Sequence, residues 1–224
     1  MTDEGEMGIG LEVLDHAVAR HALAEMRDED TPPARFALRV RQLSTLVAAA
    51  ATRTLPTSPI AVPTPLEVTE GAVLQSPPPV IVPILRAGLG MVESLRMLIP
   101  EAVVGHVGLE RDHDTLEPRE YYVKMPDRLA ERSCLVVDPR LATGGSADAT
   151  LRVLKERGAT ALRFLCLVAA PEGVARLRAS HPDVGIWAGA LDRELNELGY
   201  ILPGLGDAGD RLFGTVVSEG LDPG

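Results

Sequence analysis

The segment "LVVDPRLATGGSADATLRVLKERG" (Leu135 to Gly158) indicates the fold of this 224-residue chain. An apolar run ends in an acid, a turn of small residues with two glycines follows, and the remainder has helical spacing. A buried strand that leads directly into a helix is the repeating unit of parallel sheets. Ligands of open parallel sheets bind beyond the carboxyl ends of the strands, so this turn is a candidate site.

The same alternation extends on both sides of this segment. The runs "VIVPIL" and "RFLCLVAA" each precede a helical pattern, and "AVVGHVGL" and "VGIWAGAL" read as further strands. Near-continuous apolar strands separated by helices predict a parallel sheet that is covered on both faces. With 46% apolar residues, the chain can bury the core of one large α/β domain.

The amino-terminal part predicts helices. Leu11, Leu14, Val18 and Leu23 recur at helical spacing, and a second helix is predicted over about Ala34 to Thr54. The proline-rich segment that follows suits a twisted hairpin or an edge element, with a linker as the alternative. We therefore divide the single domain into N-terminal helices (1–55), a proline-rich hairpin or arm (56–79), the core (80–190), and a glycine-rich loop with a last strand (191–224).

Composition narrows the function classes. The net charge of -10 argues against a broad surface for nucleic acid or anionic membranes. The segment "MTDEGEMGIG" lacks the pattern of a secretion signal, and no window approaches the length of a membrane span. Cys134 and Cys166 lie in apolar runs and are predicted to be buried thiols. These features together predict a cytoplasmic protein.

The turn after the central strand offers donors for an anion. Backbone N–H groups at Thr143, Gly144, Gly145 and Ser146 open into a helix whose amino-terminal dipole favours negative charge. No lysine follows the glycines as in a Walker loop, and no G-x-G-x-x-G spacing indicates a dinucleotide. A phosphate monoester fits this turn, and a plain strand-to-helix turn is the alternative.

Asp138 supports the interpretation as a binding site. An acid at the end of a buried strand is costly unless it is paired or accepts hydrogen bonds. Sugar hydroxyls beside a bound phosphate would supply such bonds. The sequence therefore favours a sugar phosphate at this turn.

These residues also carry a resemblance. The stretch "VVDPRLATGGS" resembles the phosphoribosyl-diphosphate loop of type I phosphoribosyltransferases, in the form typical of the uracil phosphoribosyltransferase family. Further segments resemble that family in its order over about Val80 to Thr215, namely "VPILRAGLGM", "TLEP", "YYVKMP", "LVAAPEG" and "GYILPGLGDAGDRLFGT". The resemblance implies a type I phosphoribosyltransferase fold, with a mainly parallel sheet flanked by helices and a C-terminal β-containing hood.

The resemblance also implies an activity and the residues that serve it. The family transfers the phosphoribosyl group of 5-phosphoribosyl 1-diphosphate (PRPP) to uracil, giving UMP and diphosphate. Catalytic roles fall on Asp207, Arg86 and Asp138. Uracil contacts fall on Ile201, Gly206, Asp207 and Ala208. PRPP contacts fall on Arg86, Arg111, Asp138, Pro139, Arg140, Leu141, Ala142, Thr143, Gly144, Gly145, Ser146 and Asp207.

Cofactor and partners follow from the same resemblance. Mg²⁺ is expected, held mainly through PRPP, because a diphosphate leaving group is normally neutralised by this ion. The family also implies a homodimer or larger homo-oligomer and allows GTP as an allosteric activator. No nucleic-acid or membrane partner is expected.

The chain departs from the family pattern at two positions that bear on the site. Arg140 stands where methionine is common, and it either tunes affinity or points to solvent. Glu110 stands where tyrosine is usual, before Arg111. Three other functions compete with the leading one. They are a phosphoribosyltransferase for purines or other bases, an RNA-binding regulator of pyrimidine operons with this fold, and a catalytically silent paralogue.

Overall fold

The structure, a computed structural model, describes residues 10–111 and 118–215, with side chains for 10–108 and 121–215. Its helices are α1 (Ala17–Arg27), α2 (Pro33–Thr52), α3 (Leu89–Leu98), α4 (Gly145–Glu156), α5 (Pro171–Ser180) and α6 (Ala208–Phe213). Its strands are β1 (Leu11–Val13), β2 (Thr57–Pro63), β3 (Val68–Leu74), β4 (Val80–Pro83), β5 (Val103–Val104), β6 (His106–Arg111), β7 (Pro118–Lys124), β8 (Ser133–Val137), β9 (Arg140–Leu141), β10 (Ala161–Ala169), β11 (Gly185–Leu191), β12 (Glu194–Leu195) and β13 (Ile201–Leu202).

A parallel sheet with the order β1–β11–β10–β8–β4–β5 forms the centre, and β9 also pairs with β10. Neighbouring residues of β8 point to opposite faces. Leu135 packs into a cluster with α1, α2 and α3, whereas Val136 packs into a second cluster with α4 and α5. The predicted parallel sheet with helices on both faces is therefore confirmed. Cys134 and Cys166 are buried free thiols, as predicted.

The amino terminus of the described chain differs from the prediction. Leu11–Val13 is a strand that pairs with β11 in parallel, and α1 begins only at Ala17. The prediction of helices throughout this region is wrong here, because a three-residue edge strand is too short to show alternation. The hydrogen-bond partners of β1 lie about 175 residues away in the chain, since Leu11 pairs with Ile186.

The hairpins β2–β3 and β6–β7 form antiparallel pairs outside the main sheet. The proline-rich segment forms the antiparallel pair β2–β3, which is the predicted hairpin and not a linker. The run "AVVGHVGL" does not form one parallel strand as predicted. It divides into β5, in the main sheet, and β6, which pairs antiparallel with β7. Gly105 lies between these two strands. The Met125 side chain packs closely against its backbone, because a Cβ at Gly105 would lie 2.4 Å from the Met125 sulfur.

The tail also differs from the predicted loop. The antiparallel pair β12–β13 supplies the expected β structure at the carboxyl end, but residues 208–213 form α6. Asp207 explains the helix, since its carboxylate accepts the Asp210 N–H at 2.9 Å as an N-cap. The last strand, predicted after Gly214, falls mainly on residues outside the described range. No helix in the described ranges is long and apolar enough to cross a membrane.

Candidate functional site

A cleft of about 310 Å³ lies at the carboxyl end of the central strands. It is lined by residues 140–147 of the predicted phosphate loop, together with Asp138, residues 198–200 and Asp207. Most of the predicted PRPP-binding residues therefore meet in one place. The cleft is mainly polar, as a site for a sugar phosphate requires.

The geometry of the phosphate loop depends on glycine. Gly144 is the N-cap of α4 and has a φ of 78°, a left-handed conformation that favours glycine. A Cβ at this position would lie 3.1 Å from Leu177 and 3.2 Å from the Gly173 carbonyl oxygen. The first turn of α4 thus leaves its backbone N–H groups facing the cleft region without a bulky side chain, which is the usual arrangement for binding an anion. Pro139 is buried beneath the loop and does not line the cleft.

Asp138 lies at the floor of the cleft. Its Oδ1 accepts the backbone N–H of Arg140 at 3.2 Å. The pKa of the Asp138 carboxyl is raised to about 7, chiefly by burial and to a smaller extent by the nearby Asp207 carboxylate, while the N–H and the charge of Arg140 oppose the rise. The carboxylate oxygens can accept further hydrogen bonds from the hydroxyl groups of a ligand.

Arg140 connects the predicted phosphate loop to residues 201–208, which are predicted to contact the base and which we call the base loop. Its Nη2 lies 2.8 Å from Asp207 Oδ2, and its Nη1 donates to the Gly206 carbonyl oxygen at 3.1 Å. The side chain therefore does not simply point to solvent. Burial acts to raise the pKa of Asp207, but the Asp210 N–H and the charge of Arg140 hold it below its ordinary value. Asp207 is consequently ionised at neutral pH.

The base loop presents mainly backbone. Gly204 and Gly206 have positive φ values of 63° and 74°. The side chains of Ile201 and Ala208 are buried, with exposed fractions of 6% and 0%. Polar recognition by this loop would therefore come from its N–H and C=O groups and from the Asp207 carboxylate.

Arg86 contacts α6, the helix into which the base loop leads. It follows β4, and its exposed guanidinium is 3.4 Å from the Asp210 carboxylate in the first turn of α6. The Arg86 turn packs against the end of β8, since a Cβ at Gly88 would lie 2.5 Å from the Val137 carbonyl oxygen. This contact places the backbone of the Arg86 turn near the start of the phosphate loop, but Arg86 is not among the residues that line the cleft. The side chain of Arg111 lies outside the described residues, although β6 ends at this position.

Sequence reasoning missed two residues that hold the base loop. Asp192 accepts two hydrogen bonds from Arg27 and one from the Gly204 N–H. Asp192 directly follows the apolar strand β11, which is the same signal that singled out Asp138. Arg27, at the end of α1, carries no comparable signal in the sequence.

A protein-bound metal cluster is not evident in the part of the chain that the structure describes, where no three His, Cys, Asp or Glu residues converge. Asp138 and Asp207 nevertheless line the same cleft. Two carboxylates fit an Mg²⁺ ion that keeps several waters and is held chiefly by substrate phosphates.

Comparison with known proteins gives consistent matches. The family model described as "Uracil phosphoribosyltransferase" matches residues 13–215. Proteins named uracil phosphoribosyltransferase from Natranaerobius thermophilus and Bacillus pumilus are each 53% identical, over 92% and 91% of this chain and 98% and 97% of theirs. A solved structure of a protein from Aquifex aeolicus is 33% identical, with a TM-score of 0.86 over 93% of this chain and 100% of that one.

Proposed function

Because the chain belongs to the uracil phosphoribosyltransferase family, we propose that it is a pentosyltransferase that couples uracil to PRPP, giving UMP and diphosphate. One observation carries the proposal. The cleft is lined by the predicted phosphate loop and by Asp207 of the glycine-rich base loop, and the Arg140–Asp207 ion pair links the two loops. A sugar phosphate and a flat base can therefore be bound side by side.

The residues of the cleft divide the substrate between them. The 5-phosphate would lie on the N–H groups at the start of α4, and the ribose hydroxyls would donate to Asp138. Arg86 would bind the diphosphate with its planar guanidinium. The transition state is expected to be dissociative, so catalysis depends on positioning and on stabilising the departing diphosphate. The Asp207 carboxylate would stabilise positive charge on the ribose ring.

Mg²⁺ forms part of the proposed enzyme. The phosphate oxygens of PRPP, together with Asp207, would hold the ion. When bound, it neutralises negative charge on the diphosphate. The Arg86 guanidinium would complement this effect from the protein side.

Uracil presents one N–H donor and two carbonyl acceptors, and the base loop offers backbone groups of both kinds. The backbone at Ile201, Gly206 and Ala208 is proposed to contact the ring. Cytosine carries a donor at ring position 4 in place of an acceptor, so it would leave a loop N–H unpaired. The base loop is therefore expected to favour uracil.

The alternatives receive less support. The relatives described above carry the name of an enzyme and not of an RNA-binding regulator. The net charge of -10 is also unfavourable for phosphate-rich partners. The base loop resembles that of uracil enzymes, which disfavours purines. A silent paralogue is disfavoured by the assembled cleft.

The proposed reaction can be tested directly. Purified protein with PRPP and Mg²⁺ should form UMP from uracil, with little or no product from cytosine, hypoxanthine or orotate. Product formation is followed by chromatography of the nucleotides. No turnover with uracil, or a clear preference for another base, would contradict the proposal.

A pH dependence follows from Asp138. The ionised carboxylate accepts hydroxyl hydrogen bonds better than the neutral acid, and its pKa in the free protein is about 7. The dissociation constant of PRPP should therefore rise as pH falls from 8 to 6, by up to about tenfold from this group. Calorimetry on the wild type and on Asp138→Asn separates this effect from titration of the phosphates. An identical pH profile in both proteins would contradict the assignment.

Assembly and regulation complete the proposal. The β2–β3 hairpin exposes apolar side chains, with Leu66 at 95% and Val68 at 69% exposure. Such a surface supports a homodimer or larger homo-oligomer. GTP is proposed as an allosteric activator on the basis of the family resemblance. Sedimentation tests the oligomeric state and initial rates test activation, each measured with and without GTP.

A further inference from the structure

We propose that the Arg27–Asp192 ion pair positions the base loop for uracil, acting on Gly204 from outside the cleft. The inference rests on the proposed function. Arg27 is the last residue of α1, and Asp192 directly follows β11. Neither residue lines the cleft.

The contacts converge on one residue of the loop. Arg27 Nη2 lies 2.6 Å from Asp192 Oδ1, and Arg27 Nη1 lies 2.9 Å from Asp192 Oδ2. Arg27 Nη1 also donates to the Gly204 carbonyl oxygen at 2.7 Å, while the Gly204 N–H donates to Asp192 Oδ2 at 2.9 Å. The ion pair therefore holds both polar backbone groups of Gly204.

The base loop needs such support because of its glycines. Gly204 and Gly206 lie in the left-handed region, and a Cβ at Gly204 would be 2.1 Å from the Ile201 carbonyl oxygen. Only glycine fits this path, and glycine is also the residue with the most conformational freedom to lose. Contacts from outside the loop must restrict that freedom.

The position of this backbone matters for recognition. Uracil would be bound by N–H and C=O groups of the loop, and a displacement of about 1 Å can cost about 100-fold in rate. Asp192 is 8% exposed, so its bidentate pair with Arg27 is directional and shielded from water. The pair thus acts on uracil through the backbone of Gly204.

A second arginine strengthens the same attachment. Arg211 of α6 donates to the carbonyl oxygens of Met26 and Asp28, which flank Arg27, and to that of Leu205 at 2.9 Å. The end of α1 therefore contacts two successive residues of the base loop, Gly204 through Arg27 and Leu205 through Arg211. Helix α1 thereby becomes part of the uracil site without contacting the base.

The test uses conservative variants of the ion pair. Arg27→Lys keeps the charge, but an ammonium group cannot hold two carboxylate oxygens and a carbonyl in one plane. We expect the KM for uracil to rise about tenfold, with the KM for PRPP within about twofold of wild type. Asp192→Asn should likewise raise the KM for uracil about tenfold and leave the KM for PRPP within about twofold of wild type. Steady-state rates with each substrate varied separately provide the measurement.

Asp183→Asn is the matched control. It removes a carboxylate that pairs with Lys155 at 2.6 Å, and neither of these two residues lines the cleft. Both KM values should stay at the wild-type level in this variant. Equal rises of both KM values in Arg27→Lys, or no rise in either, would overturn the inference.

A measurement without substrates separates this inference from the proposed function. Amide hydrogen exchange of residues 201–207 should be faster in Arg27→Lys than in wild type, with exchange in β8 and β10 unchanged. Unchanged exchange in the base loop would overturn the inference even if the wild type forms UMP. Conversely, a wild type that makes no UMP would refute the proposed function, while exchange would still report whether the pair positions the loop.

Discussion

Replacing Asp207 by alanine is expected to lower kcat for UMP formation about 100-fold. Asp207 lines the cleft and is ionised at neutral pH, since the Asp210 N–H and Arg140 hold its pKa below the ordinary value. Its negative charge would face the positive charge that develops on the ribose ring. Initial rates at saturating uracil and PRPP measure the effect.

Controls must separate the charge of Asp207 from its structural contacts. The side chain caps α6, so the alanine variant should also lose about 1 kcal/mol of stability. Asp207→Ser retains an N-cap acceptor without the charge, and it should lose activity but little stability. Arg140→Met removes the ion pair and keeps the carboxylate. Full activity in Asp207→Ser would remove the carboxylate from the proposed mechanism.

Replacing Arg86 by alanine should lower kcat/KM for PRPP about 100-fold, as expected for the loss of two charge-assisted hydrogen bonds to the diphosphate. The melting temperature should change little, because the guanidinium is exposed and its ion pair with Asp210 spans 3.4 Å. Kinetics at limiting PRPP and thermal denaturation give the two quantities. Arg86→Lys should recover only part of the loss, since it keeps a point charge without the planar fork.

Asp210→Asn is the matched control for Arg86. It removes the partner of the guanidinium while Arg86 itself remains, so kcat/KM for PRPP should stay constant or rise. A loss in Asp210→Asn as large as that in Arg86→Ala would show that the ion pair, and not the free guanidinium, carries the effect. Unchanged kcat/KM in Arg86→Ala would argue against diphosphate binding by Arg86.

The errors of the sequence-based prediction occur where contacts made in the folded structure outweigh local sequence preference. Leu11–Val13 is a strand only because the edge of β11 is available to it, and this contact is not encoded in local periodicity. Residues 208–213 looked like loop because glycine lowers helix propensity. The Asp207 cap and the burial of Ala208 and Gly209 outweigh that preference.

The sequence by itself determined the parallel sheet and the phosphate loop. Both are local features, because an apolar strand, a glycine turn and a helix start follow one another within one segment, Leu135 to Gly158. The acid at the end of that strand also predicted that Asp138 belongs to the site, and in the structure Asp138 lines the cleft.

Only the tertiary structure decided the partners of the charged side chains. Arg140 meets Asp207 across 67 positions of the chain, and Arg27 meets Asp192 across 165. Arginine is long and flexible, so its local sequence does not specify which acid it reaches. Packing of α1, β11 and the base loop brings these groups together, and burial of Asp192 then makes the ion pair strong and directional.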